Sequence, residues 1–223
     1  MKSTIVRQLV LKDLYLNRPI IGGAFLVGGL SLVMASTGPT GYAFGSITFL
    51  MTLIAMGMVL AMYSVAQERK DRSDLFVLSL PLSGADYARA KVIGAASSFL
   101  PPWAAITAGA VALIGTSTRI PHGLLPIMLL ISGYTLTAFC ILIAIVLLMK
   151  SDSRVVFSVI LVNFSCTFFC FAVAAIPSVG NSMRAPEAVW SPTVFAVLAC
   201  EMFVAATALA LPVAAYGRKK DLI

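Results

Sequence analysis

Charged residues are scarce in this sequence. Only 11% of the 223 residues are Asp, Glu, Lys or Arg, whereas 60% are hydrophobic. A soluble globular domain is about one-quarter charged, so the composition excludes an ordinary soluble enzyme and directs attention to the long apolar segments.

Histidine and nucleotide-binding motifs are also lacking. The chain has one histidine, His122, which excludes a zinc-protease helix motif and makes a catalytic triad or a multi-histidine metal site unexpected. No Gly-Lys dipeptide occurs, although the phosphate-binding loop of nucleotide hydrolases needs a lysine after its glycines. We therefore predict no catalytic residue, no metal site and no ATP hydrolysis by this chain alone.

The four cysteines do not indicate a disulfide framework. They lie in apolar segments, where cysteine behaves as a small apolar side chain: Cys140, Cys166, Cys170 and Cys200. Cys166 and Cys170 are four residues apart and would share a helical face, but no nearby ligand completes the coordination of a soft metal. Packing is the favoured interpretation.

Six long apolar segments are present instead. Each is long enough to cross about 30 Å of hydrocarbon as a helix: residues 19–36, 44–66, 92–115, 124–149, 155–176 and 193–215. None alternates with period two, as strands of a membrane barrel would. We predict an all-α fold, a polytopic membrane helix bundle with six transmembrane helices, in a single domain of residues 1–223.

The basic residues predict the orientation of the bundle. Of the 16 Lys and Arg residues, only Arg119 and Arg184 fall in loops opposite the termini. Because short cytoplasmic loops retain basic residues, both termini are expected to be cytoplasmic, with Lys12 and Arg18 at the membrane surface. The net charge of +7 is then a topology signal, and we expect membrane lipid rather than nucleic acid as its partner.

Small residues follow one face of the first span. Gly22 and Gly29 are seven residues apart, Gly28 is adjacent to Gly29, and Ala24 precedes Gly28 by four. Small residues allow two helix backbones to approach closely in a membrane. The pattern predicts an intimate helix contact, either inside the subunit or across a dimer.

Few polar residues remain for a path through the membrane. Glu201 is the only acidic residue well inside a predicted span, where an ionised carboxylate is costly unless it is paired, protonated or hydrated. It is a candidate contact for a cationic substrate, a proton-linked switch, or a boundary residue that reaches the head groups. Asn163 and Thr167 are further candidates for a substrate pathway, or they bond across helices.

The segment 67–91 is the largest stretch outside the predicted spans. Residues 68–74 are highly charged and residues 75–80 are mostly apolar. Pro81 ends this helical pattern, and Ser83 with Asp86 three residues later forms a capping-box pattern for the next helix. Such an amphipathic elbow suits docking into a groove of another protein, and a solvated turn on the lipid surface is the alternative.

This segment resembles one found in a known family. Glu68, the Leu-Ser-Leu-Pro-Leu-Ser run of residues 78–83 and Lys91 are together similar to the loop between the second and third helices in permease subunits of the type-2 ABC exporter family. Residues 9–18, with their Lys-Asp pair, are similar to that family's N-terminal amphipathic helix, which would span residues 1–18. The family often has a basic residue after the last serine, where this chain has Gly84.

The resemblance implies a membrane-spanning permease subunit of an ATP-driven ABC exporter in a bacterial cytoplasmic (inner) membrane. Two separate ATPase subunits would bind ATP and Mg²⁺, a second permease subunit would complete a homodimer or heterodimer, and this chain would bind no cofactor. A peptide, an antibiotic or another amphiphile is the expected substrate. The loop would couple ATPase closure to the spans through six residues: Glu68, Leu75, Leu78, Leu80, Pro81 and Ser83. Lys91 would lie near the head groups.

Other functions account for the sequence less well. A membrane enzyme would present clustered His, Asp or Glu at a membrane face, which this sequence lacks. A stand-alone ion-coupled transporter usually has several intramembrane polar sites and internal repeats, for which Glu201 alone is thin support. A membrane anchor of a cytoplasmic complex stays open as an alternative.

Overall fold

The computed structural model describes residues 2–63, 83–149 and 151–218. The long helices in these ranges are α1 Lys2–Leu16, α2 Arg18–Ser36, α3 Pro39–Ala61, α4 Gly84–Thr116, α5 Leu124–Leu148, α6 Asp152–Ala175 and α8 Pro192–Arg218. A one-turn helix, α7 Pro177–Gly180, and a 3₁₀ turn, Asn181–Arg184, connect α6 to α8.

Six of these helices, α2 to α6 and α8, are long and apolar enough to cross a membrane. The predicted all-α fold with six spanning helices is therefore confirmed. Five of the six begin before their apolar segments do. The largest extension is in α4, which begins at Gly84, directly after the predicted cap, although its apolar segment starts at residue 92. Its first two turns are polar yet helical, because a helix continues past the hydrocarbon until a cap or a breaker ends it.

Prolines and a capping serine determine where several helices begin. Pro19, Pro39 and Pro177 occupy the first turns of α2, α3 and α7, where the missing N–H would have no helical partner anyway. The Asp86 N–H donates a hydrogen bond of 3.2 Å to Ser83 Oγ, and this hydroxyl donates one of 2.6 Å to Asp86 Oδ2. The predicted cap of α4 is thus formed.

A two-residue turn joins α2 to α3 in a tight hairpin. Gly38 in this turn has φ 138° and ψ −173°, a backbone region that is essentially restricted to glycine. Further along α3, Gly45 approaches α2 so closely that an added Cβ would lie 2.6 Å from the Ser31 carbonyl oxygen. Small residues therefore bring these two helices into close contact.

The apolar core lies between α2, α3, α4, α5 and α8. At its centre the rings of Phe99 and Phe139 stack with centroids 4.0 Å apart, beside the buried Leu53 and Ile143. Helix α6 lies at the periphery and packs mainly on α5. Its outward face is apolar and exposed over the length of the helix: Phe157, Leu161, Phe164, Phe168 and Phe171.

The two ends of the bundle are built differently. At the end that carries both termini, the Tyr216 ring lies 6.3 Å from the Tyr87 ring, and the Tyr216 hydroxyl donates to the Leu147 carbonyl at 3.0 Å. At the opposite end, the Gly123 N–H donates to the Ala185 carbonyl at 3.1 Å. We call these the termini end and the loop end.

Candidate coupling and substrate sites

Most of the residues predicted to dock an ATPase are not among those that the structure describes. Five of them fall outside the described residues: Glu68, Leu75, Leu78, Leu80 and Pro81. Ser83 is described and caps α4. Ser83 is thus the one predicted coupling residue among the described residues, and α4 runs from it into the bundle.

A buried ion pair joins α1 to the second turn of α4. Lys91 Nζ lies 3.2 Å from Asp13 Oδ1 and 3.0 Å from Asp13 Oδ2, and the Lys91 and Asp13 side chains are 1% and 4% exposed. Gly94 makes room for the carboxylate, since an added Cβ would lie 3.0 Å from Asp13 Oδ2. Helix α1 therefore covers Lys91 and supplies its counter-ion, whereas the position of Lys91 near the head groups stays a prediction.

Further contacts extend this pairing along both helices. Leu9 packs in an apolar cluster with Tyr87 and Ala90, and Asn17 Nδ2 donates to Ser98 Oγ at 3.3 Å. On α1, residues 9, 13 and 17 are spaced by four and share one helical face. We call the set of residues 9, 13 and 17 with residues 87, 90, 91 and 98 the α1–α4 junction.

The two other predicted surface cations are exposed at the termini end. The Lys12 side chain is 41% exposed, with Nζ 3.9 Å from Asp13 Oδ1. Arg18 is exposed, and its guanidinium carbon lies 4.7 Å from the centroid of the Tyr15 ring. Contact of Lys12 and Arg18 with membrane head groups stays a prediction.

Glu201 belongs to α8, its side chain packs against α5, and the residue is 6% exposed. Its carboxylate packs against Gly133, where an added Cβ would collide with Oε2, and its main-chain oxygen accepts a hydrogen bond of 3.1 Å from Thr137 Oγ1. Within the described part of the chain, neither carboxylate oxygen has a hydrogen-bond partner.

Asn163 and Thr167 do not share a site with Glu201. Asn163 Nδ2 donates to the Val159 carbonyl at 2.8 Å and lies 3.6 Å from Met58 Sδ of α3. Thr167 is exposed on α6. Asn163 and Thr167 therefore lie on α6, apart from Glu201 on α8, and a common role in a substrate pathway stays a prediction.

Sequence reasoning missed an apolar cavity of about 380 Å³ between α2, α3, α4 and α5. Apolar side chains form most of its wall, including Leu32, Phe49 and Ala110, whereas Tyr42 and Ser46 line it near the loop end. The small residues on the facing helices were the only feature of the sequence that could have indicated this cavity. They equally permit close packing, so they could not reveal a cavity by themselves.

The small-residue face of α2 is only partly used inside the subunit. Gly28 and Ala24 are buried, and an added Cβ on Gly28 would lie 2.7 Å from Ile106 Cγ1 of α4. Gly22 and Gly29 have no neighbour within 4 Å of an added Cβ. The close contact of Gly28 is thus with α4.

Over residues 2–63, 83–149 and 151–218, no group of three or more His, Cys, Asp or Glu residues is arranged to hold a metal ion. Cys166 is buried and Cys170 half-buried on one face of α6. The pair predicted from the sequence is present without further ligands among these residues.

Comparison with known protein families gives a match over most of the chain. A family model described as "ABC-2 family transporter protein" matches residues 8–212. No curated protein and no solved structure matches significantly. The matched range includes the α1–α4 junction, the apolar cavity and Glu201.

Proposed function

The chain belongs to the ABC-2 transporter family, and from this premise we propose that it is the permease subunit of an ATP-driven exporter of amphiphilic molecules. It is a multi-pass membrane protein with six spanning helices. Permeases of this family are typically non-catalytic and pair with separate ATPase subunits. In our proposal, two such ATPases bind ATP and Mg²⁺, and a second permease subunit completes the pathway.

The distribution of charge supports a cytoplasmic termini end. Residues 67–91 and the segments next to the termini carry most of the 16 basic residues, as short cytoplasmic loops do. In a bacterial inner membrane, this orientation would put residues 68–83, which we call the docking segment, on the side where ATP is available.

The α1–α4 junction is the observation that carries the coupling role. Helix α4 begins directly after the predicted docking segment, and the Lys91–Asp13 ion pair ties its second turn to α1. Tyr216 links the same region to α8 and α5 through Tyr87 and the Leu147 carbonyl. Packed interfaces shift between discrete arrangements rather than deform continuously, so displacement of the start of α4 would move several spanning helices together.

The apolar cavity supports an amphiphilic substrate. Its walls are hydrocarbon, and the hydroxyl-bearing Tyr42 and Ser46 lie at the loop end. Ligand sites typically combine apolar walls with a few polar groups that fix orientation. Hydrophobic peptides and amphiphilic antibiotics have this mixed character.

Co-purification tests the proposal directly. The full-length chain, tagged and isolated from its own cells in mild detergent, should bring down an ABC ATPase subunit and Mg²⁺-dependent ATP hydrolysis. Glu68→Lys combined with Leu80→Asp should abolish both, because it reverses a charge and removes an apolar contact in the docking segment.

A matched double variant at the loop end provides the control. Glu187 and Val189 are exposed there, and Glu187→Lys with Val189→Asp should leave the complex intact. If the wild-type chain brings down no ATPase, the permease proposal is wrong. If the Glu68 and Leu80 variant keeps its ATPase, only the docking assignment is wrong.

A further inference from the structure

Glu201 lies near the middle of the hydrocarbon layer. A helix rises about 1.5 Å per residue, so Glu201 is roughly 14 Å along α8 from Pro192 and Gly133 is roughly 14 Å along α5 from Leu124. Both helices start at the loop end. The carboxyl and the glycine that accommodates it thus lie about halfway across a layer of about 30 Å.

No charged partner faces this carboxyl in the described residues of the helices packed on it. On α5, the titratable residues are Tyr134, whose hydroxyl contacts Ser165 of α6, and the core residue Cys140. On α8, Cys200 is exposed. The other titratable residues of α4 and α8 lie in the turns at the termini end: Asp86, Tyr87, Arg89, Lys91, Tyr216 and Arg218. An ionised Glu201 would therefore be a buried charge without a compensating partner among these residues, which is energetically unfavourable.

The surroundings also favour a small ligand over a large one. The apolar cavity is lined by neither Glu201 nor Gly133, and the Glu201 side chain is 6% exposed. Among the described residues, no cavity next to this carboxyl could hold an organic cation. A proton needs no such space.

We propose that the Glu201 carboxyl is a proton-binding site that is neutral and occupied when α8 packs on α5. The neutral acid fits against Gly133 at low electrostatic cost, whereas loss of the proton places a charge in the helix interface and favours separation of α8 from α5. The contact between these two helices thus depends on a proton. The inference concerns one helix interface and holds or fails independently of ATPase docking.

Infrared difference spectroscopy reads the protonation state directly. The full-length protein in lipid nanodiscs at pH 7 is compared with Glu201→Gln. The wild-type minus variant difference should contain the C=O stretch of a protonated carboxylic acid, shifted in D₂O. A difference that contains only ionised carboxylate bands overturns the proposal. Glu187→Gln is the matched control, because this exposed carboxyl should contribute only the ionised bands.

Thermal unfolding across pH tests the consequence for the helix contact. Gln is neutral at every pH and nearly isosteric with protonated Glu, so Glu201→Gln should fold and match the wild-type Tm at low pH. Above the pH at which a glutamate of the unfolded chain ionises, about 4.3, the wild-type Tm should fall below that of the variant by about 3–5 °C per pH unit, for as long as the folded carboxyl keeps its proton. If the Tm of the wild-type protein and the Tm of Glu201→Gln differ by the same amount at every pH, the proposal is overturned. Glu187→Gln should follow the wild-type curve throughout.

Discussion

Lys91 Nζ lies 3.0 Å from Asp13 Oδ2, and both side chains are almost completely withdrawn from solvent. The two residues are 78 positions apart, and their pairing joins the N-terminal helix to the helix that follows the predicted docking segment. A buried pair contributes modestly to net stability, but removal of one partner strands the other charge. The pair therefore restricts α1 and α4 to moving as one unit.

Replacement of Lys91 by Met should destabilise the protein strongly. The variant keeps an apolar stem of similar length but removes the ammonium closest to the buried Asp13 carboxylate, at 3.0 Å. Loss of one partner of a buried pair costs about 3–5 kcal/mol. The measurement is the Tm of the purified full-length protein in detergent. Asp13→Asn combined with Lys91→Met should recover a large part of the loss, because neither charge then remains.

Arg89→Met is the control for this experiment. Arg89 lies two residues away in α4, its side chain is 61% exposed, and its nearest Asp86 oxygen is 3.9 Å distant. Exposed pairs contribute about 0–1 kcal/mol, so this variant should stay close to the wild-type Tm. Equal losses at Arg89 and Lys91 would contradict a special role for the buried pair.

Adjacent glycines in α2 should respond differently to a large side chain. Gly28→Leu would force a side chain into Ile106 of α4, and overpacking typically costs about 1–3 kcal/mol. Gly29→Leu enters open space in the subunit and should leave the Tm unchanged. Tm and oligomeric state are measured for both variants. If a dimer is lost only in Gly29→Leu, the exposed face of α2 is where a second subunit binds.

Ser83→Ala should weaken the first turn of α4. Ser83 accepts the Asp86 N–H, and loss of such a cap costs about 1 kcal/mol. Ser151→Ala is a matched control because Ser151 precedes α6 at the equivalent position without a side-chain cap bond. Hydrogen exchange of the first turn should accelerate in the Ser83 variant, whereas exchange of the first turn of α6 should not change in the Ser151 variant.

A larger residue in the apolar cavity should impair transport without unfolding the protein. Ala110 is 6% exposed and lines the cavity, so Ala110→Leu places three extra carbons there. We expect its Tm to stay near wild type, while stimulation of ATP hydrolysis by the amphiphile rhodamine 6G falls several-fold in the nanodisc complex. Ala112 is exposed on the same helix, and Ala112→Leu should keep the stimulation. Unchanged stimulation in Ala110→Leu would exclude the cavity from the pathway of this compound.

The sequence was sufficient to predict features that depend on local pattern. Apolar length alone indicates a spanning helix, because the bilayer imposes a minimum of about 20 residues, and six such helices are observed. The capping box of Ser83 and Asp86 likewise follows from a three-residue spacing. Hydropathy alone indicates α4 only from about residue 92, because the first turns of the helix are polar. The capping box is the sequence signal for its start at Gly84.

Features that depend on distant partners were not predictable in this way. A lysine at the end of an apolar segment is expected at the surface. Only the packing of α1 against α4 reveals that Lys91 is buried beside Asp13. Glu201 was recognised as unusual, but its neighbour Gly133 lies on another helix, 68 positions earlier in the chain. No local pattern indicates which helices touch or which carboxyl lacks a partner.

The tight turn at Gly38 has a consequence for the order of assembly in the membrane. Two residues separate α2 from α3, so closing this loop costs little entropy, and chains acquire structure from the N-terminus during synthesis. The two helices can pair through Ser31 and Gly45 before α4 has left the ribosome. Early pairing of α2 with α3 would give the later helices an assembled surface on which to pack.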